Sequence, residues 1–400
     1  MTPKIRQVQI RNYKSIGRAV VDLEPFTVLV GANGSGKSNF VDALAFVQES
    51  LTHPLEQALE SRGGIRIHSA WEIEGPVLTG LRFRIELSET TIADYSFEIG
   101  WHDGSSPARV SHERCQLWHG SERGMGFEAA EGLFIREIPG IRPQISPDRL
   151  ALYAASATDE LRPVYDFLTS IRLYSIEPNA MGIPAPLTLA KALEASGSNA
   201  AFVLQRLQSR APERYERISR LLAQAVSGIQ KVTGSVIEGR GSLEFQQDIG
   251  LADPAVFYGS EMSAGTLRLL GLLLAIYQPE GASLIAIEEP EATVHPAIAE
   301  LVLEVLLDAA HDRQVLITTH SPDILDAKEL NDRQLRVVTK QYGRTLIAPL
   351  AGASRAAIRE HLFTPGELLR SNELTEDIQA AQEAATHLDL FGDIPALSLQ

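Results

Sequence analysis

Apolar and polar positions alternate along this chain in two styles, one with the period of strands and one with the period of helices. From Lys4 to Val30 the pattern predicts two or three short strands: Val8 and Ile10 alternate with polar neighbours, a turn follows near Asn12 to Gly17, and Phe26 to Val30 is an unbroken apolar run. Such a run suits a strand buried on both faces. It leads through Gly31 to Ser38 into a helical pattern over Asn39 to Glu49, with Phe40, Leu44 and Val47 at helical spacing. Between about Ile65 and Ile138 the text turns strand-like, as in Leu81 to Leu87 and Tyr95 to Trp101, with Gly, Ser and Asp turns between. That predicts an antiparallel lobe. Helical spacing dominates from Pro147 to Ile229, for example over Pro163 to Leu173 and Ala200 to Leu207, with proline-rich punctuation at Glu177 to Pro186. Ser242 to Leu350 returns to mixed α/β text, with an apolar helix at Leu267 and buried strands expected at Leu284 to Ile287 and Val315 to Thr318. No tandem repeat or low-complexity block interrupts these segments.

Composition narrows the class. The 400 residues are 44% hydrophobic and 22% charged, which excludes a disordered, collagen-like or coiled-coil protein and leaves room for two or three domains. Lys and Arg number 36 against 51 Asp and Glu, a balance of −15 and the reverse of what a wide phosphate-binding surface needs. Any nucleic-acid contact must then be local. A single cysteine, Cys115, excludes an internal disulfide and a thiolate-based structural zinc site, and it fits a reducing compartment. His112, Cys115 and His119 would share a face on a helix, but RVSHERCQLWHG alternates like a strand, which sends His112 to the opposite side. The N-terminus lacks the apolar core of a secretory signal. Leu267 to Tyr277, the most apolar stretch, is about half the roughly 20 residues that cross a bilayer, so a buried helix and no membrane association are expected. A cytoplasmic location is the resulting expectation.

Three segments carry chemistry. Gly31-Ala32-Asn33-Gly34-Ser35-Gly36-Lys37-Ser38 matches the phosphate-binding pattern G-x-x-x-x-G-K-[ST], and Asn39 follows it. Glycines let the backbone wrap, so that successive N–H groups and the next helix's N-terminus face an anion. Lys37 then reaches the β- and γ-phosphates and Ser38 ligates Mg²⁺. The predicted strand before and helix after are what this reading requires. The second segment is Glu288-Glu289-Pro290-Glu291, at the tip of the buried strand from Leu284. Carboxyl ends of strands face the ligand crevice in an α/β sheet, which places Glu288 near the metal and Glu289 beside the attacking water. An acidic helix start is the bland alternative. Third, the strand from Val315 ends in His320-Ser321-Pro322, where a histidine can donate a hydrogen bond to a γ-phosphate oxygen while Ser321-Pro322 starts a helical turn.

In this order, the phosphate loop, Ser263-Ala264-Gly265-Thr266-Leu267-Arg268 ahead of an apolar helix, the Glu-Glu-Pro-Glu strand end and Thr318-Thr319-His320-Ser321-Pro322 resemble ABC-class ATPases of the RecF, SMC and OLD-like group. Ile10-Arg11-Asn12-Tyr13-Lys14-Ser15, Ser196 to Asn199 and Phe363 to Leu374 also look like the compact members, which lack a long coiled coil or a nuclease domain. The resemblance implies an α/β fold: a P-loop ATPase head with a parallel-sheet core, an antiparallel β lobe and a helical insert. Boundaries drawn on it are residues 1–60 for the N-terminal half of the head, 61–145 for the β lobe and 146–229 for the helical insert. The C-terminal half of the head takes 230–352, and 353–400 form an acidic tail with three basic and eight acidic residues from Ser354 onward.

What the resemblance implies about function is an ATP-dependent homodimer. ATP would be sandwiched head to tail, with Gly31, Asn33, Gly34, Ser35, Gly36, Lys37, Ser38 and Asn39 holding it in one subunit and Ser263 and Gly265 contacting it from the other. Lys37, Glu289 and His320 would be catalytic, and Ser38 and Glu288 would hold Mg²⁺. Met262-Ser263-Ala264-Gly265 departs from the usual Leu-Ser-Gly-Gly, and Glu291 to Pro296 lacks the flexible glycine of the usual text. The family's Q-loop has two candidates, Gln48 and Gln57. Some 225 residues separate Ser38 from Ser263 without a heptad pattern, so long arms are not expected, and the 80 residues after His320 are too few for an appended nuclease. The expected partners are therefore a separate effector protein, a nuclease among the candidates, and DNA, in repair or antiviral defence. A nucleotide-gated scaffold with little turnover is the alternative. A nucleotide-binding subunit of a membrane importer fits less well, because that class carries Asp-Glu at the strand end.

Overall fold

The computed structural model describes residues 2–64, 78–100, 107–136, 145–186, 192–279, 281–293, 295–327 and 329–392. Trp101, Val294, the region around Ile65, residues 137–144 and the end of the tail from 393 lie outside them.

The core is a six-stranded sheet in the order Arg344–Ala348, Leu335–Gln341, Phe26–Val30, Gln314–Thr319, Leu284–Glu288, Arg172–Tyr174. All pairings are parallel except the hairpin formed by the first two strands. The apolar runs alternate between two cores, which is why they read as continuous. Leu284 and Ala286 join Leu29, Leu316 and the helix Lys37–Thr52 on one face, while Ile285 and Ile287 join Val28, Val315 and the helix Ala264–Tyr277 on the other. Leu267 and Leu269 to Ile276 are buried in that second helix, as expected for a buried element rather than a membrane span. Among the described residues no helix is long and apolar enough to cross a membrane.

A seven-stranded antiparallel sheet runs Ile16–Asp22, Lys4–Tyr13, Leu78–Glu86, Thr91–Gly100, Arg109–His119, Glu122–Ala130, Leu133–Arg136. The two N-terminal strands thus belong to the antiparallel sheet, and the third, Phe26–Val30, to the parallel one. Phe46 of the helix Lys37–Thr52 bridges the two layers, with ring centroids 5.7 Å from Tyr13 and 6.4 Å from Phe97. Cys115 is buried, and among the described residues no His, Cys, Asp and Glu group is arranged to hold a metal.

Helical text from Pro163 to Leu173 divides in the structure. The helix Arg162–Thr169 ends at Ser170, and Arg172–Tyr174 becomes the edge strand beside Leu284–Glu288, in register Arg172↔Ile285 and Tyr174↔Ile287. Ser283 Oγ donates to the Phe167 carbonyl at 2.7 Å, fixing the crossover, so sheet pairing overrides local helical spacing there. Three further helices of this region, Pro178–Gly182, Ala200–Arg210 and Pro212–Ala225, pack near a small antiparallel sheet of Ala185–Pro186, Ile229–Ile237, Arg240–Gln247 and Ala255–Tyr258.

After Ala348 the chain forms Gly352–Arg359, Pro365–Arg370 and Ile378–Thr386 and then runs back across the antiparallel sheet. Leu388 and Leu390 are buried, Arg82 Nη2 donates to the Gly392 carbonyl at 2.8 Å, and Phe391 stacks on His112 with centroids 3.9 Å apart.

Candidate functional site

Register alone brings three strand tips together. Thr319 pairs with Val30 and Glu288 with Thr318, so the glycine loop, the acidic tip and His320 leave the sheet side by side. Gly31 N donates to the Thr319 carbonyl at 3.2 Å, which ties the loop to the histidine strand.

Glycine is required at two loop positions for different reasons. A Cβ on Gly31 would lie 2.1 Å from the Val338 carbonyl, and Gly36 has φ +109° with Thr345 Oγ1 only 1.9 Å from its Cβ position. Ala32, Asn33, Gly34 and Ser38 are exposed, whereas Ser35 and Lys37 are buried. Lys37 Nζ donates to the carbonyls of Gly31 at 2.7 Å and Ala32 at 3.1 Å. Burial lowers the Lys37 pKa, and Glu289, Glu291 and Glu288 oppose that shift, so the ammonium lies within the field of the acidic tip. A bracket behind the loop fixes its shape. Asn39 Nδ2 donates to Ser15 Oγ at 2.5 Å, Ser15 Oγ donates to Thr345 Oγ1 at 2.6 Å, and Thr345 Oγ1 donates to the Ser35 carbonyl at 2.9 Å.

At the acidic tip, Glu289 is left-handed at φ +44°, a conformation costing a non-glycine residue about 1–2 kcal/mol. Its N–H is held by the Thr318 carbonyl at 3.0 Å, and its Oε1 lies 3.0 Å from His320 Nδ1. Glu288 Oε1 and Glu291 Oε2 are buried without a hydrogen-bond partner in the protein, and Glu291 Oε1 accepts from Thr319 Oγ1. Burial raises the Glu291 pKa, against the pull of the Thr319 hydrogen bond. An orphaned carboxylate oxygen on Glu288 is the kind of donor a hard divalent cation takes, so this residue fits Mg²⁺.

Lys37, Glu288, Glu289 and His320 thus form one cluster. Ser263 is exposed at the N-cap of Ala264–Tyr277, its Oγ accepting from Thr266 N at 3.1 Å, and Gly265 follows in the first turn. Among the described residues no hydrogen bond or ion pair joins Ser263 or Gly265 to the loop. Arg268, one turn on, lies in the field of Glu289 and Glu291. Gln48 and Gln57 sit on the helices Lys37–Thr52 and Leu55–Glu60, and neither side chain bonds the loop or the acids among the described residues. Sequence reasoning passed over Ser15, Thr345, Thr319 and Glu291 as site residues. Glu291 had a signal, its place one residue after the Pro290 turn; Thr345 had none, being an ordinary strand residue.

Two family models match the chain: "AAA ATPase domain" over residues 4–97 and "AAA domain, putative AbiEii toxin, Type IV TA system" over residues 137–326. The phosphonates import ATP-binding protein PhnC 1 of Ruegeria sp. (strain TM1040) is 28% identical over 108 residues, 27% of this chain and 40% of its own. The chromosome partition protein Smc of Methanocaldococcus jannaschii is 46% identical over 44 residues, 11% of this chain and 4% of its own. The chain therefore spans well under two thirds of either relative. Among solved structures, the Smc head bound to the C-winged helix domain of ScpA has a TM-score of 0.51 at 13% identity, covering 87% of this chain and 98% of that one. The Smc head with an extended coiled coil bound to the C-terminal domain of ScpA from Pyrococcus furiosus has 0.50 at 14%, covering 90% and 99%. Sheet order, loop and acidic tip agree with these matches: AAA-type ATPase models align with two segments of the chain, and its fold is similar to that of the Smc heads.

Proposed function

We propose that the protein binds and hydrolyses ATP as a head-to-tail dimer whose closing and opening switches a partner protein or a DNA contact. The observation that carries this reading is the Glu289–His320 pair standing beside the phosphate loop and held by a left-handed backbone at Glu289. The loop amides from Gly34 to Ser38 and the N-terminus of Lys37–Thr52 bind the phosphates, and Lys37 exchanges its two carbonyl partners for phosphate oxygens. Glu289 accepts a proton from water as the water oxygen bonds to the γ-phosphorus and the bond to the β–γ bridging oxygen breaks, giving ADP and inorganic phosphate. His320 can donate Nδ1–H to Glu289 and Nε2–H to a γ-phosphate oxygen together only as an imidazolium. Ser38 and Glu288 would hold Mg²⁺, which would supply charge neutralisation at the phosphates.

Ser263 is exposed and lacks a bond to its own loop, which supports its use by a second copy, where the positive end of a 14-residue helix would face the γ-phosphate. The solved Smc heads are bound to ScpA domains, and that supports a separate effector protein here. The toxin–antitoxin wording of one family model favours a defence setting over transport. A cytoplasmic site of action and a local DNA contact between closed heads complete the reading.

The test pairs two variants. Lys37→Ala removes binding of a fluorescent ATP analogue, whereas Glu289→Gln retains binding, loses phosphate release by about 100-fold or more and accumulates an ATP-bound dimer in light scattering. Normal turnover by either variant overturns the assignment. Wild-type binding without phosphate release, with and without DNA, would support the nucleotide-gated scaffold instead.

A further inference from the structure

The turn that follows His320 is gripped by a helix from far along the chain. Pro365–Arg370 begins with a complete capping box, in which Thr364 Oγ1 accepts from Glu367 N at 3.1 Å and Glu367 Oε2 accepts from Thr364 N at 2.8 Å. The same Thr364 hydroxyl donates to Asp326 Oδ1 at 2.8 Å. Arg370 Nη2 bridges Asp323 Oδ1 at 2.8 Å and Asp326 Oδ2 at 2.6 Å. Gly366 lets the two backbones meet, since a Cβ there would stand 2.4 Å from the Pro322 carbonyl and 2.2 Å from Asp326 Oδ1.

From this turn a short relay runs back to the acidic tip. Asp323 N donates to Ser321 Oγ at 3.3 Å, Ser321 N to Thr319 Oγ1 at 2.9 Å, and Thr319 Oγ1 to Glu291. His320 sits inside this relay, with its ring exposed and its Nδ1 on Glu289. The Arg370, Asp323 and Asp326 side chains are too exposed for their pairing to govern global stability, so the contacts act on where the turn lies rather than on whether the protein folds.

We propose that Thr364, Gly366 and Arg370 form a clasp that positions His320 against Glu289, making the C-terminal segment a positioning part of the hydrolytic site. This rests on the ATPase reading above. Hydrogen–deuterium exchange on the nucleotide-free full chain tests the clasp directly. Arg370→Ala and Gly366→Ala should raise exchange at 320–326 and leave 31–38 unchanged, and Arg370→Lys should return it toward wild type. In steady state, kcat of Arg370→Ala should fall on the order of tenfold, the cost of misplacing a catalytic group, with ATP affinity and melting temperature held. Unchanged exchange at 320–326 in both variants overturns the clasp, as does a kcat loss that merely follows melting temperature or ATP affinity. Absence of phosphate release from the wild type would sink the ATPase reading, and the exchange result would still decide the clasp.

Discussion

Gly36 shows how narrowly a phosphate loop is tolerated by its surroundings. Its φ of +109° excludes a side chain on conformational grounds, and Thr345 Oγ1 excludes one on steric grounds. Gly36→Ala should therefore displace either the loop or the Ser15–Thr345 bracket, lowering ATP affinity on the order of tenfold or more, about 1.4 kcal/mol, read by nucleotide titration. Adding Thr345→Gly should recover only part of the loss, because the positive φ remains and the hydroxyl that braces Ser15 and the Ser35 carbonyl is removed. Full recovery would show that the clash, not the backbone, is limiting. Glu113 is a second residue whose environment makes a prediction. It is fully buried and accepts from Leu152 N at 2.8 Å and Tyr95 Oη at 3.0 Å, and from Ala151 N, yet burial outweighs these donors and raises its pKa from 4.5 to about 7. A carboxyl raised on folding contributes stability that is present below pH 4.5 and lost as pH rises through about 7, on the order of 3 kcal/mol across that window. Chemical denaturation between those values should show the decline, and Glu113→Gln should flatten it.

Elements divide by how local their causes are. Phe26–Val30, Leu284–Glu288 and Gln314–Thr319 were legible because a strand buried on both faces needs an uninterrupted apolar run, and each run stops where its polar tip leaves the sheet. The helix after the glycine loop was legible from its buried stripe of Phe40, Leu44 and Val47. Arg172–Tyr174 was not, since three residues carry no period and their strand state comes from pairing with Ile285 to Ile287. The bracket of Asn39, Ser15 and Thr345 was hidden for the same reason, its members lying on the loop helix, the first hairpin and a strand near the other end of the chain. Nothing in the text around Thr345 marks it, although it shapes the loop as surely as Gly36 does.

At the scale of the molecule, two layers share one helix and the C-terminal segment ties them together. Leu390 is 3% exposed and presses on Gly80, whose Cβ position lies 2.2 Å from Leu390 Cδ1, while Arg82 and Arg114 donate to carbonyls of the same strap. Acidic as it is, the segment 352–392 packs against the rest of the chain. Leu390→Ala should cost about 2–5 kcal/mol and speed proteolysis near Thr386. A melting temperature unchanged from wild type would mean that the strap is dispensable to the fold.

The sequence by itself determined which groups stand at the strand tips, because a glycine loop, paired carboxylates and a terminal histidine depend on backbone freedom and side-chain type within a few residues. It also determined the buried strands and the helix behind the loop, whose periods are local. Only the tertiary structure decided which distant groups brace them: Thr345 behind Gly36, Arg172–Tyr174 beside the acidic strand, Arg370 on the turn after His320, and Leu390 on Gly80. Those contacts form between surfaces brought together by folding, and a side chain's reach to a partner hundreds of residues away leaves no period in the text.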